Sequence, residues 1–413
     1  MKRACKRLVC LLLIICMLPS LWGCGSSLYN LREVEQLLVI QTMGLDASNG
    51  GVLLSLASAA DSATGGSPRR LSASGDSVTS AMERIFNESY EEQLFCYHID
   101  NVLLGEKAAE EGVETYLNYI CRSPFMRVGV PLFVLRGTTA QEAVMNVGGG
   151  GKGVVEVILS VRQKLEHRGG SHLFTTADVL RDLKRYGSAL ICALDCTASS
   201  ENGGGSENGG GQPADDSGSD QQAQGGAQDS SGDGESGLTA APAGYAIIRE
   251  GKLCRYIQPE DAVAVDLLIN DLAICSLEVR DRAGQTVVLE LYAGGSAVSP
   301  VWAAPGVLQG LDIHVDAHAS ILEIRGRGQL EDQEYTDHLR SQLEALISQK
   351  VSAVLQSSRE LRSDFLGLAG KVEQASPRYF SLMTTDFPDT LPTLTLQVSV
   401  SGRLSHTNDM KDA

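Results

Sequence analysis

The chain has 413 residues, 43% of them apolar, which is enough for two or three domains with sizeable cores. Its net charge of −17 repels the phosphates of nucleic acid and of anionic lipid, so we exclude nucleic acid as a partner. Beyond residue 24 no run of 18 apolar residues occurs, so we expect no further membrane-spanning helix.

The first 24 residues have the pattern of a secretory signal peptide. Four basic residues precede an apolar run of 11 residues, 8–18, which is too short to span a bilayer comfortably. The segment ends Leu21-Trp22-Gly23-Cys24, with a small residue before the cysteine. This ending resembles the lipobox of bacterial lipoproteins, in which cleavage would follow Gly23 and the Cys24 sulfur would receive a diacylglycerol. An ordinary signal peptide, with Cys24 as one more thiol, is the alternative.

Removal of residues 1–23 would take away four basic residues and leave a net charge of −21. Membrane attachment would then come from the two acyl chains on Cys24, because a polybasic patch is lacking. Six cysteines remain after Cys24, and most of them lie in apolar runs, as is typical of buried free thiols. Disulfides stay open as an alternative for an exported protein. The six are Cys96, Cys121, Cys192, Cys196, Cys254 and Cys275.

The segment after the leader begins with a helical turn or two at residues 31–38. Two apolar strands, 39–46 and 52–57, flank Asn49-Gly50, which is a strong hairpin signal. Residues 76–88 have helical spacing of apolar positions, with Asp76 or Ser77 as the N-cap.

A strand at residues 99–106, a helix at 107–121 and a strand at 131–137 follow, and this order predicts a crossover unit. Three more helices are predicted at 138–144, 154–165 and 175–186, with threonines as caps of the first and last. The glycine run at 146–153 lacks the glycine and the hydroxyl residue that a phosphate loop requires, so we interpret it as a flexible loop.

Residues 199–238 differ in composition from the rest of the chain. They contain twelve glycines and eight acidic residues, but no basic or aromatic residue. Such a segment cannot bury enough apolar surface to offset its chain entropy. We therefore predict a disordered acidic insertion between domains.

The last third of the chain alternates predicted strands and helices. We expect hairpins at 243–257 and 275–292, a helix at 259–271, a strand at 311–321, a long helix at 335–358 and a last strand at 391–400. The alternation in 311–321 places His314, Asp316 and His318 on one face, about 7 Å apart along the strand. These side chains are either a metal site or the hydrated face of an amphipathic strand, and we favour the hydrated face.

Three groups of residues resemble the Ger(x)C family, the lipoprotein C subunits of spore germinant receptors. The first is Tyr29-Asn30-Leu31-Arg32-Glu33-Val34 followed by Met43-Gly44-Leu45-Asp46. The second is the strand ending Gly105-Glu106, the helix, Arg122-Ser123-Pro124 and the strand ending Arg136-Gly137. The third is the C-terminal order of strand, long helix, turn around Asp364 and last strand. Tyr29 stands where the family has tryptophan, and the acidic insertion is also a departure.

The resemblance implies a three-domain α+β lipoprotein with palmitate among its acyl chains, anchored on the outer face of the spore inner membrane. Its implied partners are the A and B membrane subunits of the receptor. It implies a role in nutrient-triggered spore germination after sporulation, without catalysis and without a cofactor. We divide the chain into a signal peptide (1–23), an N-terminal α+β domain (25–198), the insertion (199–242), a β-rich middle domain (243–305) and a C-terminal α+β domain (306–405).

The alternative function is an extracytoplasmic lipoprotein hydrolase or metal-binding lipoprotein that uses His314 and His318. An extracytoplasmic solute-binding lipoprotein is a weaker alternative, because the long alternating α/β series of a two-lobed binder is lacking.

Overall fold

The computed structural model describes residues 37–59, 68–89, 93–124, 126–148, 152–168, 172–198, 238–324 and 333–405. Within these ranges, thirteen strands form two sheets, and eleven helices pack against them. The predicted α+β class is therefore confirmed. The signal peptide, Cys24 and residues 199–237 of the acidic insertion lie outside the described residues.

The first sheet begins with the predicted hairpin, which is confirmed. β1 (Leu37–Ser48) and β2 (Gly51–Ser58) pair antiparallel. Asn49 and Gly50 form the turn with φ of +32° and +85°, the left-handed region that such tight turns require. β3 (Arg70–Gly75), which the sequence did not indicate, pairs with β2 at the edge of the sheet.

The start of β1 corrects the end of the helical turns predicted at residues 31–38, whereas residues 31–36 lie outside the described residues. Leu37 and Leu38 already lie in β1, where they pair in parallel with β4 (Gln93–Phe95). Tertiary pairing decides the conformation here, because the local apolar spacing suits either state.

Three further strands lie parallel to β1 and form the middle of the first sheet. They are β5 (Asn101–Leu104), β6 (Leu132–Arg136) and β7 (Ser188–Ala198). β5 is buried along its whole length, as expected for a parallel strand with both faces covered. The predicted strand-helix-strand crossover between β5 and β6 is confirmed.

Six helices accompany the first sheet, and three of them begin at a predicted N-cap. The side chains of Ser77, Thr139 and Thr175 each accept a hydrogen bond from the backbone N–H three residues on. The helices are α1 (Val78–Glu88), α2 (Glu106–Glu111), α3 (Glu114–Arg122), α4 (Ala140–Asn146), α5 (Val154–Arg168) and α6 (Thr176–Tyr186).

One predicted helix, 107–121, is in fact two. Gly112 has φ of +149°, a conformation outside the helical region, and it ends α2. Helix α3 then begins after Val113, whose N–H bonds to the carbonyl oxygen of Gly251 at 2.8 Å. The apolar spacing continues across the break, which is why periodicity alone predicted a single helix.

The first sheet continues within the predicted insertion, 199–242, because residues 238–242 pair with β7 and are a strand, not disordered. β8 (Leu238–Arg249) pairs antiparallel with β7, and β9 (Lys252–Ile257) pairs antiparallel with β8. The strand order is β3-β2-β1-β5-β6-β7-β8-β9, with β4 on β1. Residues 243–257 thus share a hydrogen-bonded sheet with residues 37–198. The domain boundaries given above stay a prediction.

The pairing of β7 with β8 allows a sharp test of the insertion. Ala198 and Leu238 are paired residues, so deletion of residues 202–235 leaves five residues to join neighbouring antiparallel strands. Hairpin loops of about two to five residues are common, and each halving of loop length lowers the closure cost by roughly 0.6 kcal/mol. We expect a thermal midpoint that is unchanged or slightly higher, and unchanged germination. A fall of several degrees in calorimetry would show that the insertion packs against the domains.

The second sheet has four strands in the order β10-β11-β12-β13. They are β10 (Cys275–Arg280), β11 (Thr286–Ala304), β12 (Val307–Ile324) and β13 (Thr395–Ser405). The predicted alternation in β12 is confirmed, since Leu311, Ile313 and Val315 are buried between exposed polar residues. β11 and β12 extend beyond the predicted strands and form one long hairpin.

Helices α7 (Ala262–Ile269) and α8 (Gln333–Leu361) cover the second sheet. The predicted apolar stripe of α8 is buried along six of its positions: Leu339, Leu343, Ile347, Val351, Val354 and Leu355. Three short helices follow: α9 (Leu368–Ala375), α10 (Pro377–Phe380) and α11 (Phe387–Thr390). In the described ranges, no helix is both long enough and apolar enough to cross a bilayer.

Candidate functional site

The motif residues of the N-terminal half converge at one edge of the first sheet. β1, β5 and β6 are neighbouring parallel strands, so their carboxyl ends lie together. Asp46 lies near the end of β1, Gly105 and Glu106 follow β5, and Arg136 ends β6. We call these four residues the motif cluster.

Asp46 holds the start of helix α4. Its two carboxylate oxygens accept the backbone N–H groups of Ala140 and Gln141, each at 2.7 Å. The side chain is buried, and burial raises its pKa, while the two backbone hydrogen bonds act in the opposite direction. A carboxylate engaged in this way stabilises a helix N-terminus and is not a free catalytic base.

Glycine is required beside Asp46 for steric reasons. A Cβ at Gly105 would lie 1.9 Å from Asp46 Oδ1 and 3.3 Å from the nitrogen of Ala140. Gly44 is also close to α4, since a Cβ there would lie 3.1 Å from the Cβ of Ala140. The two glycines therefore let β1, β5 and α4 approach one another closely.

Glu106 joins the motif cluster to β9. Its carboxylate accepts the N–H of Gly137 at 2.9 Å and the hydroxyl of Tyr256 at 2.8 Å. Burial, and then the hydrogen bond to Glu106, raise the pKa of Tyr256. The guanidinium carbon of Arg136 lies 5.1 Å from the centre of the Tyr256 ring, and Arg136 also bonds to Gln258 at 3.0 Å. The polar groups of the cluster thus bind one another and join strands together.

A second polar cluster lies where β8 meets helix α7. The hydroxyl of Tyr245, which is fully buried, donates a hydrogen bond to the carboxylate of Asp266 and accepts one from the N–H of His172. The imidazole of His172 pairs with Asp271. Desolvation raises the pKa of Asp266 to about 7, against the hydrogen bond from Tyr245. Sequence reasoning missed Asp266, although a lone acidic residue in the apolar run of α7 is a usable signal.

Helix α9 brings a third polar group against α7. Lys371 donates hydrogen bonds to the carbonyl oxygen of Leu268 and to the hydroxyl of Ser296, the latter at 3.2 Å. Asp364 accepts the N–H groups of Leu368 and Ala369 at 2.7 and 2.8 Å, and desolvation raises its pKa to about 7. The turn around Asp364, part of the C-terminal family pattern, therefore caps α9.

The raised pKa of Asp266 predicts a pH dependence of stability. Folding raises this pKa from 3.8 to about 7, so the native protein binds more protons than the unfolded chain between these values. The free energy of unfolding should therefore fall as pH rises from 4 to 7. We expect Asp266→Asn to flatten this slope by up to about 1.4 kcal/mol per pH unit. The other carboxyls whose pKa burial raises, among them Asp364 and Asp46, contribute to the slope that remains.

Urea unfolding at a series of pH values measures this slope. Asp312→Asn is the matched control, because Asp312 is an exposed aspartate of β12. A slope that is the same in Asp266→Asn and wild type would contradict the assignment of the buried proton to Asp266.

On the histidine face of β12, His314 and Asp316 are exposed and His318 is half-buried. His314 Nδ1 lies 3.0 Å from the hydroxyl of Ser399, and His314 Nε2 lies 3.5 Å from Asp316. His318 packs edge-on to Tyr292, with ring centres 6.4 Å apart. Among the described residues, no group of three or more His, Cys, Asp or Glu side chains is arranged to hold a metal ion.

Five cysteines, Cys96, Cys121, Cys196, Cys254 and Cys275, are free thiols in the part of the chain that the structure describes. Burial raises the pKa of Cys96 and of Cys196 to about 11, and that of Cys275 to about 12. These three thiols are therefore protonated and weakly nucleophilic at neutral pH. Cys192 is buried in β7.

In this fold, the motif residues hold the protein's own strands and helices together. Residues 30–195 match the family model for the spore germination protein N-terminal domain. Residues 243–408 match the model described as spore germination B3/GerAC like, C-terminal. The chain belongs to the Ger(x)C family of spore germination proteins, and the resemblance inferred from its motifs is confirmed.

A solved structure has a similar fold. The crystal structure of the GerBC protein superposes with a TM-score of 0.50 at 13% sequence identity, covering 88% of this chain and 96% of that one. No curated protein matches the chain.

Proposed function

We propose that this chain is the non-catalytic, lipid-anchored C subunit of a spore germinant receptor. Family membership supports the role in germination, and the motif cluster supports the absence of catalysis. Asp46 and Glu106, the acidic residues of the family motifs, already accept hydrogen bonds from the protein itself. The proposal depends on one observation, namely that these motif residues hold the protein's own strands and helices together.

In the proposed role, Cys24 carries the lipid and holds the chain on the outer face of the spore inner membrane. The folded part then docks on the A and B membrane subunits and couples germinant sensing to ion release. The match to both the N-terminal and the C-terminal family model, at residues 30–195 and 243–408, supports this role.

Affinity purification of the tagged chain from detergent-solubilised spore inner membranes tests the proposal. We expect two membrane proteins to copurify, one with a large extramembrane domain and one resembling a permease, both encoded beside this chain. An unrelated tagged lipoprotein from the same membranes is the control. Copurification of neither protein, from membranes in which the tagged chain is present, would contradict the proposed role.

A metal assay separates this role from the metal-dependent alternative. The chain from Gly25 on should contain less than stoichiometric zinc, and His314→Ala should not change that content. Stoichiometric zinc that is lost in His314→Ala would favour the hydrolase.

A further inference from the structure

The tip of the long β11–β12 hairpin projects from the second sheet. β10 pairs with β11 only up to Leu291, and β13 pairs with β12 only from Gly310 on. Residues 292–300 of β11 still pair with the part of β12 that β13 covers, so only the end of the hairpin, about residues 301–309, is a two-stranded ribbon. Such a ribbon is marginally stable in water unless something packs on it. Helix α10 packs on it, since the rings of Trp302 and Tyr379 are 5.6 Å apart and nearly perpendicular.

This tip has no charge in a strongly acidic chain. The 21 residues between Glu290 and Asp312 include no Asp, Glu, Lys, Arg or His. The adjoining helix α10 contributes one charged residue, Arg378. An uncharged segment of this length is unusual in a chain of net charge −17. It is suited to contact with a surface that carries no charge.

Exposed apolar side chains are concentrated at this tip. Of the ten large apolar residues that are exposed in the described ranges, four lie here: Val301 at 37%, Val307 at 55%, Tyr379 at 41% and Leu382 at 57%. Single exposed apolar residues are normal on any protein, but a contiguous patch marks an interaction surface. We call these four residues, together with Trp302, the tip patch.

Contacts connect helix α9, which precedes the tip patch residue Tyr379, to the edge of the first sheet at which the parallel strands begin. β1 and β7 are both part of the parallel set, so Leu37 and Ser188 begin their strands at the same edge of the first sheet. Tyr186, just before β7, packs against α9, where a Cβ at Gly370 would lie 2.5 Å from its hydroxyl. Arg185 pairs with Glu373 of α9 at 2.8 Å. Helix α10, which carries Tyr379, follows α9 directly.

A lipid anchor at Cys24 would keep the folded part close to the membrane. The 12 residues between Cys24 and Leu37 can span at most about 43 Å when fully extended. Tryptophan and tyrosine beside aliphatic residues and an arginine are typical of groups that lie at the interface between lipid headgroups and acyl chains.

We propose that the tip patch inserts into the interface of the phospholipid bilayer as a second, weak membrane contact that orients the lipid-anchored protein. This inference rests on the membrane location in the proposed function. Attraction to the bilayer is apolar, so anionic lipid should weaken the contact and salt should not abolish it.

Tryptophan fluorescence reports on the tip patch directly, because Trp302 is the only tryptophan after residue 24. The chain from Gly25 on, which contains every described strand and helix, is titrated with phosphatidylcholine vesicles. We expect a blue shift of Trp302 emission and quenching by lipids with brominated acyl chains. Val307→Asp should lower the vesicle partition coefficient about tenfold.

Leu322→Asp is the matched control, since Leu322 lies at the other end of β12 and is 52% exposed. Equal thermal midpoints of the two variants ensure that folding is not the cause of a difference. Absence of any blue shift in the wild-type chain, or equal partitioning of both variants, overturns the proposal. A shift seen only with phosphatidylglycerol vesicles and abolished by salt also overturns it. Since the chain tested has no Cys24, these results leave the lipid anchor as a separate question.

Discussion

Gly105→Ala should lower the stability of the N-terminal half by about 2–3 kcal/mol, the upper part of the roughly 1–3 kcal/mol typical of an overpacked buried site. The added Cβ would lie 1.9 Å from Asp46 Oδ1. That oxygen cannot move aside without lengthening its 2.7 Å hydrogen bond to the N–H of Ala140. The thermal midpoint should fall by roughly 4–10 °C.

Gly129→Ala is the matched control. No atom lies within 4 Å of a Cβ at Gly129, and its backbone is outside the left-handed region. Alanine there reduces the freedom of the unfolded chain, so this variant should be as stable as the wild type or slightly more stable. Equal midpoints for the two variants would show that the motif cluster is not tightly packed.

A double-mutant cycle identifies the group with which the added Cβ of Gly105→Ala clashes. In an Asp46→Ala background the carboxylate is gone, so Gly105→Ala should cost much less than it does in the wild type. Asp46→Ala itself should be destabilising, because it leaves the N–H groups of Ala140 and Gln141 without their acceptor. A full cost of Gly105→Ala in both backgrounds would place the clash at the Ala140 backbone.

Local signals in the sequence were sufficient for many elements. The Asn49-Gly50 pair predicted the β1–β2 hairpin, and the apolar stripe predicted α8, because turn conformation and helical periodicity depend on neighbouring residues. The caps at Ser77, Thr139 and Thr175 follow for the same reason.

Elements that depend on distant partners were not predicted. β7 is a continuous buried apolar run, and such a run has no period by which a strand can be recognised. β3 is a polar edge strand whose partner, β2, supplies the pairing. The outer part of the β11–β12 hairpin is rich in glycine, alanine and proline, residues that disfavour a strand assignment.

In the candidate site, too, the sequence indicated the residues but not their contacts with distant partners. The motifs contained Asp46, Gly105, Glu106 and Arg136, but their contact with one another follows from the parallel register of β1, β5 and β6. That register joins residues about 60 positions apart between β1 and β5 and about 30 positions apart between β5 and β6, so no local pattern specifies it. Asp266, in helix α7, was missed because its partner Tyr245 lies in strand β8, 21 residues away.

Cys24→Ala should release the protein from the membrane. The substitution keeps the basic residues and the apolar run of the leader, so export should continue. It removes the thiol that would accept the diacylglycerol, and each buried CH₂ of the acyl chains contributes about 0.8 kcal/mol to membrane binding. The acidic surface offers no electrostatic substitute.

Fractionation of cells that lack the partner subunits, followed by immunoblotting, measures retention without protein–protein contacts. Cys254→Ala is the matched control, because it removes an exposed thiol from the folded part and should leave retention unchanged. A Cys24→Ala protein that stays in the membrane fraction to the same extent as wild type would contradict the lipid anchor.

Germination tests what the anchor contributes to the receptor. Tethering in the plane of the membrane raises the local concentration of the chain beside its proposed partner subunits, which strengthens weak contacts without adding new ones. We therefore expect spores with Cys24→Ala to germinate more slowly through this receptor. Some response should persist, because direct contacts with the subunits retain part of the protein. Release of the protein together with normal germination would mean that the anchor exists but that the subunit contacts are strong enough without it.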